Sequence, residues 1–212
     1  DCVQAFGKIP IDVRALGIDS LSVSAHKVQG PKGVGVLCCM KAIEPLYRGG
    51  GQEAGFRPGT ENVPAIAGFA YAASKRYRLM KDQYAHVSLL KATLIERVKC
   101  IPGAVLIPDT SGMDANYSPY ILALAFPPIP GEVLVRVLND EGFAVSTGAA
   151  CSSKKAGKGR VLEGMGVPKD TRDSAIRVSF GFDTRIEDIE SFSHALERSV
   201  RQLMPRFPGT PH

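Results

Sequence analysis

The chain has 212 residues, enough for one or two domains, and its 44% hydrophobic and 22% charged residues are typical of a soluble globular protein. The net charge of +5 comes from dispersed basic residues, and the cluster at 154–160 lacks interleaved aromatic residues, which favours a solvated loop over a nucleic-acid surface. No apolar run approaches the roughly 20 residues of a membrane helix, and no signal peptide opens the chain, so no membrane partner is expected.

The cysteines and histidines predict neither disulfides nor a metal site. Five cysteines are present, an odd number without Cys-x-x-Cys spacing, and the four histidines lie far apart in sequence. This usage favours a reducing, cytoplasmic compartment. We expect Cys38, Cys39 and Cys100 to be packing residues. The chain opens abruptly at Asp1 with strand-like apolar content, so we expect it to be the C-terminal part of a longer protein.

Strands alternate with short helical or loop pieces in residues 1–40, which predicts an α/β sheet. Strands are expected over 21–24 and over 33–40, where small residues allow close approach. The glycine-rich stretch 49–62 fits a flexible surface loop or a binding loop. The second alternative rests on the Gln, Glu, Arg, Thr and Asn that it carries at intervals.

A long helix is predicted over 64–100, where apolar residues recur at helical spacing. A helix of this length commonly bridges two domains, and we place the boundary near residue 76. Residues 1–76 then belong to one domain, and residues 77–212 form a smaller C-terminal α+β domain whose helices cover a small sheet. In this second part, strands are expected over 105–107, 121–126, 143–146 and 175–180, and helices over 131–139, 161–165 and 189–203.

Lys27 stands just after the predicted strand 21–24, in a run that leads into a Gly/Pro-rich turn. A lysine there is well placed to present its amine inside a cleft, where amines form Schiff bases, above all with pyridoxal 5'-phosphate (PLP). A PLP enzyme also needs an acid beside the pyridine nitrogen, because the protonated ring accepts electrons from the substrate. Asp1 lies 26 residues before Lys27, a spacing that suits neighbouring parallel strands. Gln4 is close enough to reach another ring substituent.

Cys151 and Arg177 are the candidate residues for handling a substrate. Cys151 lies among the small residues of 146–153, unlike a buried structural cysteine, and nearby lysines favour its thiolate, which is the nucleophilic form. Arg177 lies in the middle of the predicted strand 175–180. An inward-facing arginine needs an anion, which is either a substrate α-carboxylate held bidentately or an internal salt-bridge partner.

A series of motifs, in order, resembles the cysteine desulfurases of the NifS/IscS type, a class-V aminotransferase group of the fold-type I PLP enzymes. The resemblance covers essentially the whole chain. It implies an α/β fold, in which part of a large PLP-binding domain with a mainly parallel sheet precedes a smaller α+β domain. The motifs are Asp1-x-x-Gln4, Ser24-x-His26-Lys27, Gly30-Pro31-Lys32-Gly33, Gly49-Gly50-Gly51-Gln52-Glu53, Arg57-x-Gly59-Thr60-x-Asn62, Ser146-x-Gly148-x-Ala150-Cys151 and Ala175-Ile176-Arg177-Val178-Ser179.

The same resemblance implies the role of each site residue. Cys151 attacks the sulfur of PLP-bound L-cysteine, so that alanine is released and a persulfide remains for an acceptor such as an iron-sulfur scaffold protein. Arg177 binds the substrate carboxylate. Thr60 contributes to the phosphate site of a second subunit, which implies a homodimer. The implied cofactor-binding residues are Asp1 for the pyridine nitrogen, Gln4 for the ring hydroxyl, Ser24 and His26 for the phosphate, and Lys27 for the Schiff base.

The chain departs from the family pattern in three places. The family's glycine-rich phosphate turn, stacking histidine and cofactor-contacting asparagine precede the Asp1 strand and are not in this sequence. Gly181-Phe182-Asp183 replaces the usual Gly-Arg-Phe, and the tail after Leu203 is short. Two alternatives stay open: a selenocysteine lyase or other class-V aminotransferase-like PLP enzyme, and a catalytically silent fragment or scaffold.

Overall fold

The computed structural model describes residues 1–41, 43–108, 117–147 and 160–206. Residue contacts divide the chain into unit 1, residues 1–84, and unit 2, residues 85–212. The division falls inside one long helix. The domain boundary near residue 76 stays a prediction.

Unit 1 is built on two antiparallel strands, β1 (Ser20–Ser24) and β2 (Gly35–Cys39), joined through a 3₁₀ helix over Ala25–Val28. Val23 of β1 lies opposite Val36 of β2. A Cβ atom at Gly35 would lie 2.6 Å from the Val23 carbonyl oxygen, so the two strands need glycine there. Both strands confirm the prediction from sequence.

The core of unit 1 lies between these strands and the long helix. Its fully or nearly buried members are small or apolar, and Phe6 packs edge-on against one of them, Phe69, with ring centroids 6.1 Å apart. The buried residues are Val23, Ala25, Val28, Phe69 and Ala72.

The first residues of the chain form turns rather than the strand expected from their apolar content. The backbone N–H groups of Ala5 and Phe6 both donate to the Cys2 carbonyl, at 3.0 and 2.8 Å, and the Asp1 carboxylate accepts from the Val3 N–H at 2.8 Å. These local hydrogen bonds satisfy backbone groups that a strand would direct to a neighbour. The strand-like segment expected at the start of the chain is therefore wrong, whereas the placement of Asp1 beside the strand of Lys27 stays a prediction.

Helix α1 (Val63–Lys99) confirms the predicted long helix. The Asn62 side chain accepts from the Ala65 N–H at 3.2 Å, which caps the first turn. After the helix, Gly103 adopts a positive φ of 79° and turns the chain. The buried residues of α1 recur every three or four positions. They are Ala65, Phe69, Ala72 and Arg76 in unit 1 and Val87, Leu90, Leu94 and Val98 in unit 2.

Among the described residues of unit 2, three antiparallel strands form one sheet, with β4 (Ile121–Ala125) between β3 (Val105–Ile107) and β5 (Ala175–Ser179). β4 pairs with β5, and Leu124 of β4 lies opposite Ile176 of β5. Both side chains are buried. The helices are α2 (Gly131–Asp140), α3 (Arg160–Gly164), α4 (Lys169–Ser174) and α5 (Ile186–Leu203), and a 3₁₀ turn over Met204–Arg206 follows them.

The apolar sides of α2 and α5 supply most of the helical core of unit 2, as their periodicity predicted. Leu134 and Leu138 of α2 are fully buried, and the Glu141 carboxylate after α2 binds the Arg198 guanidinium of α5. The buried apolar residues of α5 are Ile189, Phe192, Ala195, Leu196, Val200 and Leu203. This arrangement of helices on one small sheet is the expected α+β organisation.

Two elements of unit 2 differ from expectation. Residues 143–146 do not form a strand, because only Ser146 pairs, in an isolated antiparallel bridge with Arg177. Helix α4 was not predicted, because its six residues are mostly polar and too short to show apolar periodicity. Among the residues that the structure describes, no helix has the length and apolar character needed to cross a membrane.

Candidate cofactor and substrate sites

The 3₁₀ helix Ala25–Val28 buries its apolar residues and exposes its polar ones, His26 and Lys27. Ser24 ends β1 in an extended conformation, and the following turn buries Ala25 and Val28 at 0% and 1% exposure. His26 and Lys27 therefore face outward. An imidazole and an amine are thus presented side by side on a short turn whose apolar residues fix it to the core of unit 1.

A left-handed residue and a backbone hydrogen bond close the end of this turn. Gln29 takes a left-handed φ of 66°, and the Gly30 N–H donates to the Ala25 carbonyl at 2.9 Å. A Cβ atom at Gly30 would lie only 3.0 Å from that carbonyl oxygen and from the Ala25 Cβ. Gly30, three residues after Lys27, therefore permits the close approach of the backbone to Ala25.

The segment that carries Asp1 and Gln4 is attached to β1. The Cys2 N–H donates to the Ser22 carbonyl at 2.9 Å, two residues before Ser24. Asp1 and Gln4 are both exposed. The predicted acid and amide thus lie on a turn that is hydrogen-bonded to the strand leading to Lys27.

Lys8 is a residue of this site that the sequence reasoning missed. Its ammonium donates to Gln4 Oε1 at 3.1 Å. Burial, and then the positive charge of Lys27, lower the pKa of Lys8 below its ordinary value of 10.5. No motif points to it from sequence, because its neighbourhood is set by tertiary contacts.

Thr60 lies on the exposed surface of the glycine-rich loop of unit 1. The loop is organised around Gln52, whose side-chain oxygen accepts from the Gly59 N–H at 3.4 Å, and it contains two non-glycine residues at positive φ, Glu53 and Ala54. Within the described residues, no hydrogen bond joins Thr60 to the Lys27 turn. The prediction that Thr60 serves a second subunit stays a prediction.

Arg177 is half-buried in β5, opposite Ala123 of β4. Its neighbours Ile176 and Val178 are buried at 1% and 7% exposure, so the arginine points to the other side of the sheet, as the alternation predicted. Its backbone N–H donates to the Ser146 carbonyl at 2.6 Å, and the Ser146 N–H donates back at 3.2 Å. The segment that leads to Cys151 therefore starts beside the candidate substrate arginine.

Cys151 and the lysines near it lie outside the described residues. Of the other cysteines, Cys38 and Cys100 are exposed, so the expectation that they are packing residues is wrong. Cys38 lies in a strand whose residues are mostly exposed, and the Cys100 thiol donates to the Glu96 carbonyl at 3.5 Å at the end of α1. Strand or helix position alone did not reveal which face these residues occupy.

The family model for aminotransferase class-V matches residues 1–192. The chain belongs to this family. The match covers both units, so the motifs of the Lys27 turn and of β5 lie in one family domain. Members of the family are PLP-dependent enzymes, which agrees with the exposed lysine turn.

Curated relatives of this chain carry desulfurase names. The cysteine desulfurase IscS of Methanosarcina thermophila is 37% identical over 213 residues, which are 100% of this chain and 52% of that protein. A putative cysteine desulfurase NifS of Bacillus subtilis is 35% identical over 92% of this chain and 49% of its own length. The chain spans about half the length of these relatives.

Solved structures confirm the fold class. A NifS-like protein matches 96% of this chain and 52% of its own chain with a TM-score of 0.82 and 34% identity. A NifS-like protein from Rickettsia africae matches 94% of this chain and 52% of its own with a TM-score of 0.81 and 31% identity. The motif resemblance to NifS/IscS-type proteins is therefore confirmed.

The residues present fit PLP. The exposed turn offers an amine at Lys27 and an imidazole at His26, and the half-buried end of β1 offers a hydroxyl at Ser24. The segment hydrogen-bonded to β1 offers a carboxylate at Asp1 and an amide at Gln4. An aldehyde, a phosphate and a protonated ring nitrogen need these kinds of partner. Among the described residues, no group of His, Cys, Asp and Glu could hold a metal ion.

Proposed function

We propose that this chain carries the cofactor lysine and the sulfur-accepting cysteine of a cysteine desulfurase. The enzyme converts L-cysteine to L-alanine and leaves a persulfide on Cys151. The observation that carries the proposal is the exposed pair His26 and Lys27 on the turn that follows β1, in a chain whose curated relatives are named cysteine desulfurases.

On the cofactor side, Lys27 would hold PLP covalently through its amine. Ser24 and His26 would donate to the phosphate, whose negative charge favours charged or polar donors. Asp1 would face the pyridine nitrogen and keep it protonated, and Gln4 would donate to the ring oxygen. When bound, PLP supplies an electron sink for bonds at the substrate α-carbon.

On the substrate side, Arg177 would hold the α-carboxylate of L-cysteine with its planar guanidinium. The Cys151 thiolate would form a bond to the substrate sulfur while the substrate carbon–sulfur bond breaks. The electron pair of that bond stays with the three-carbon fragment, which takes up a proton and leaves as alanine. The substrate is reduced and Cys151 is oxidised to the persulfide, so electrons balance.

The proposed enzyme acts as a cytoplasmic homodimer. Thr60 would complete the phosphate site of the other subunit, and a loop around Cys151 would carry sulfur to an acceptor such as an iron-sulfur scaffold protein. The support is the exposed position of Thr60 and the small residues around Cys151.

The test is alanine release from L-cysteine by the complete PLP-loaded protein. Cys151→Ala should abolish alanine release, whereas Cys100→Ala, which removes another exposed cysteine, should leave the rate unchanged. Alanine release at the parental rate by Cys151→Ala would contradict the persulfide mechanism and favour a selenocysteine lyase-like reaction. A wild-type protein without the visible absorbance of lysine-bound PLP would favour a silent scaffold.

A further inference from the structure

Lys8 is fixed close to Lys27 by the packing of the segment in front of it. A Cβ atom at Gly7 would lie 2.9 Å from Val28 Cγ1 and 3.1 Å from Arg76 Cβ, and Gly7 itself has a positive φ of 71°. The backbone at Gly7 thus lies directly against the residue that follows Lys27. Phe6, on its other side, packs edge-on against the α1 ring of Phe69.

The Lys8 side chain turns from this anchored backbone toward Gln4. The Lys8 N–H donates to the Ala5 carbonyl at 3.0 Å, and this turn places the ammonium 3.1 Å from Gln4 Oε1. Lys8 is half-buried, and this burial, followed by the positive charge of Lys27, lowers the pKa of Lys8. Lys8 therefore binds the Gln4 side chain, and its backbone follows Gly7, which packs against Val28 next to Lys27.

The chemistry of this contact fixes which way the Gln4 amide faces. A glutamine side chain has an acceptor oxygen and a donor NH₂ group, and an ammonium can only donate. The oxygen must therefore face Lys8, and the NH₂ group is directed elsewhere. An amide held in this way is a hydrogen-bond donor toward any ligand that it meets on its other side.

We propose that Lys8 is a positioning residue that orients the Gln4 amide so that its NH₂ group donates to the ring oxygen of PLP. The inference rests on the proposed function, because it takes PLP as the ligand of Gln4. In this proposal Lys8 does not contact PLP itself and affects the cofactor only through the Gln4 amide. A donor at the ring oxygen changes the electronic state of the ring, so Lys8 should influence the cofactor spectrum.

The test is a double-mutant cycle in the complete PLP-loaded protein, read out as the visible absorbance spectrum of bound PLP and the PLP dissociation constant. Lys8→Met keeps the apolar stem and removes the donor. It should change the ratio of the absorbance bands and weaken PLP binding about five-fold, as expected for one lost hydrogen bond. In a Gln4→Ala background, Lys8→Met should add nothing to either measurement.

Two control variants keep the test decisive. Lys8→Arg retains a cationic donor and should restore most of the wild-type spectrum, whereas Lys75→Met removes an exposed lysine of α1 and should leave the spectrum unchanged. An unchanged spectrum in Lys8→Met, or equal effects of Lys8→Met with and without Gln4, would overturn the positioning role. Failure of the proposed function would be recognised separately, because the wild-type protein would then bind no PLP, or would bind PLP while Cys151→Ala still released alanine at the parental rate.

Discussion

Arg177 and Ser146 are joined by two reciprocal backbone hydrogen bonds, of 2.6 and 3.2 Å, between β5 and the segment that follows α2. Cys151 comes five residues after Ser146. Five fully extended residues span at most about 18 Å of backbone, which sets the upper limit of the chain length between Ser146 and Cys151. The pairing therefore links the proposed carboxylate ligand to the base of the proposed sulfur-carrying segment.

Replacement of Arg177 should impair substrate binding without releasing the cofactor. Arg177→Met removes a charge-assisted pair with the substrate carboxylate, so kcat/KM for L-cysteine should fall about ten- to a hundred-fold, mainly through KM. Arg172→Met, which removes a half-buried arginine paired with Glu163, is the matched control and should leave KM unchanged. An unaltered KM in Arg177→Met would show that the arginine serves an internal salt bridge instead.

Thr60 can be tested with hybrid dimers. If Thr60 serves the other subunit, a dimer of one Thr60→Ala and one Lys27→Ala subunit contains one complete site, since the Lys27→Ala subunit lends its Thr60 to its partner's lysine. We expect this hybrid to bind one PLP per dimer with wild-type affinity. The Thr60→Ala homodimer should bind PLP more weakly at both sites. A hybrid with only the weak affinity would place Thr60 in the site of its own subunit.

Lys91 should make the stability of unit 2 depend on alkaline pH. It is only 6% exposed and donates to the Ser118 carbonyl at 3.0 Å, and burial lowers the pKa of Lys91 from its ordinary value of 10.5. Between the lowered pKa and 10.5, the unfolded chain binds more protons than the folded chain, so the free energy of unfolding rises with pH.

The measurement is chemical denaturation of wild type and Lys91→Met across this alkaline window. Wild type should gain stability relative to Lys91→Met as the pH rises, because the neutral amine loses its desolvation penalty and still donates to Ser118. Lys81→Met replaces an exposed lysine of the same helix, and its free energy of unfolding should change with pH as that of wild type does. A constant difference between wild type and Lys91→Met would contradict the buried-amine interpretation.

The start of α2 requires glycine. A Cβ atom at Gly131 would lie 2.6 Å from the Ala175 carbonyl oxygen, which belongs to β5 and cannot move aside alone. Gly131→Ala should therefore lower the free energy of unfolding by about 1–3 kcal/mol. A Cβ atom at Gly164 would meet nothing within 4 Å. Gly164→Ala should therefore raise the free energy of unfolding, by less than about 1 kcal/mol. Equal thermal midpoints for the two variants would contradict the close approach of α2 to β5.

Sequence patterns predicted the elements whose apolar residues recur regularly, among them β1, β5, α1 and α5. They failed where short-range polar hydrogen bonds decide the backbone, as in the turn at Asp1. They also failed to reveal Lys8, because its position depends on the contact of Gly7 with Val28, twenty-one residues later. The order of the motifs indicated Lys27 and Arg177 as candidate site residues. Periodicity, however, does not predict which side chains distant in sequence are in contact.

The central claim is that Lys27 is the amine that holds PLP. It is tested most directly by borohydride reduction of the complete holoenzyme, followed by peptide mass mapping. A phosphopyridoxyl group should be found on the peptide that contains Lys27, while Lys8, the nearby amine, stays unmodified. A phosphopyridoxyl group on Lys8, or on no lysine of this chain, would contradict the account.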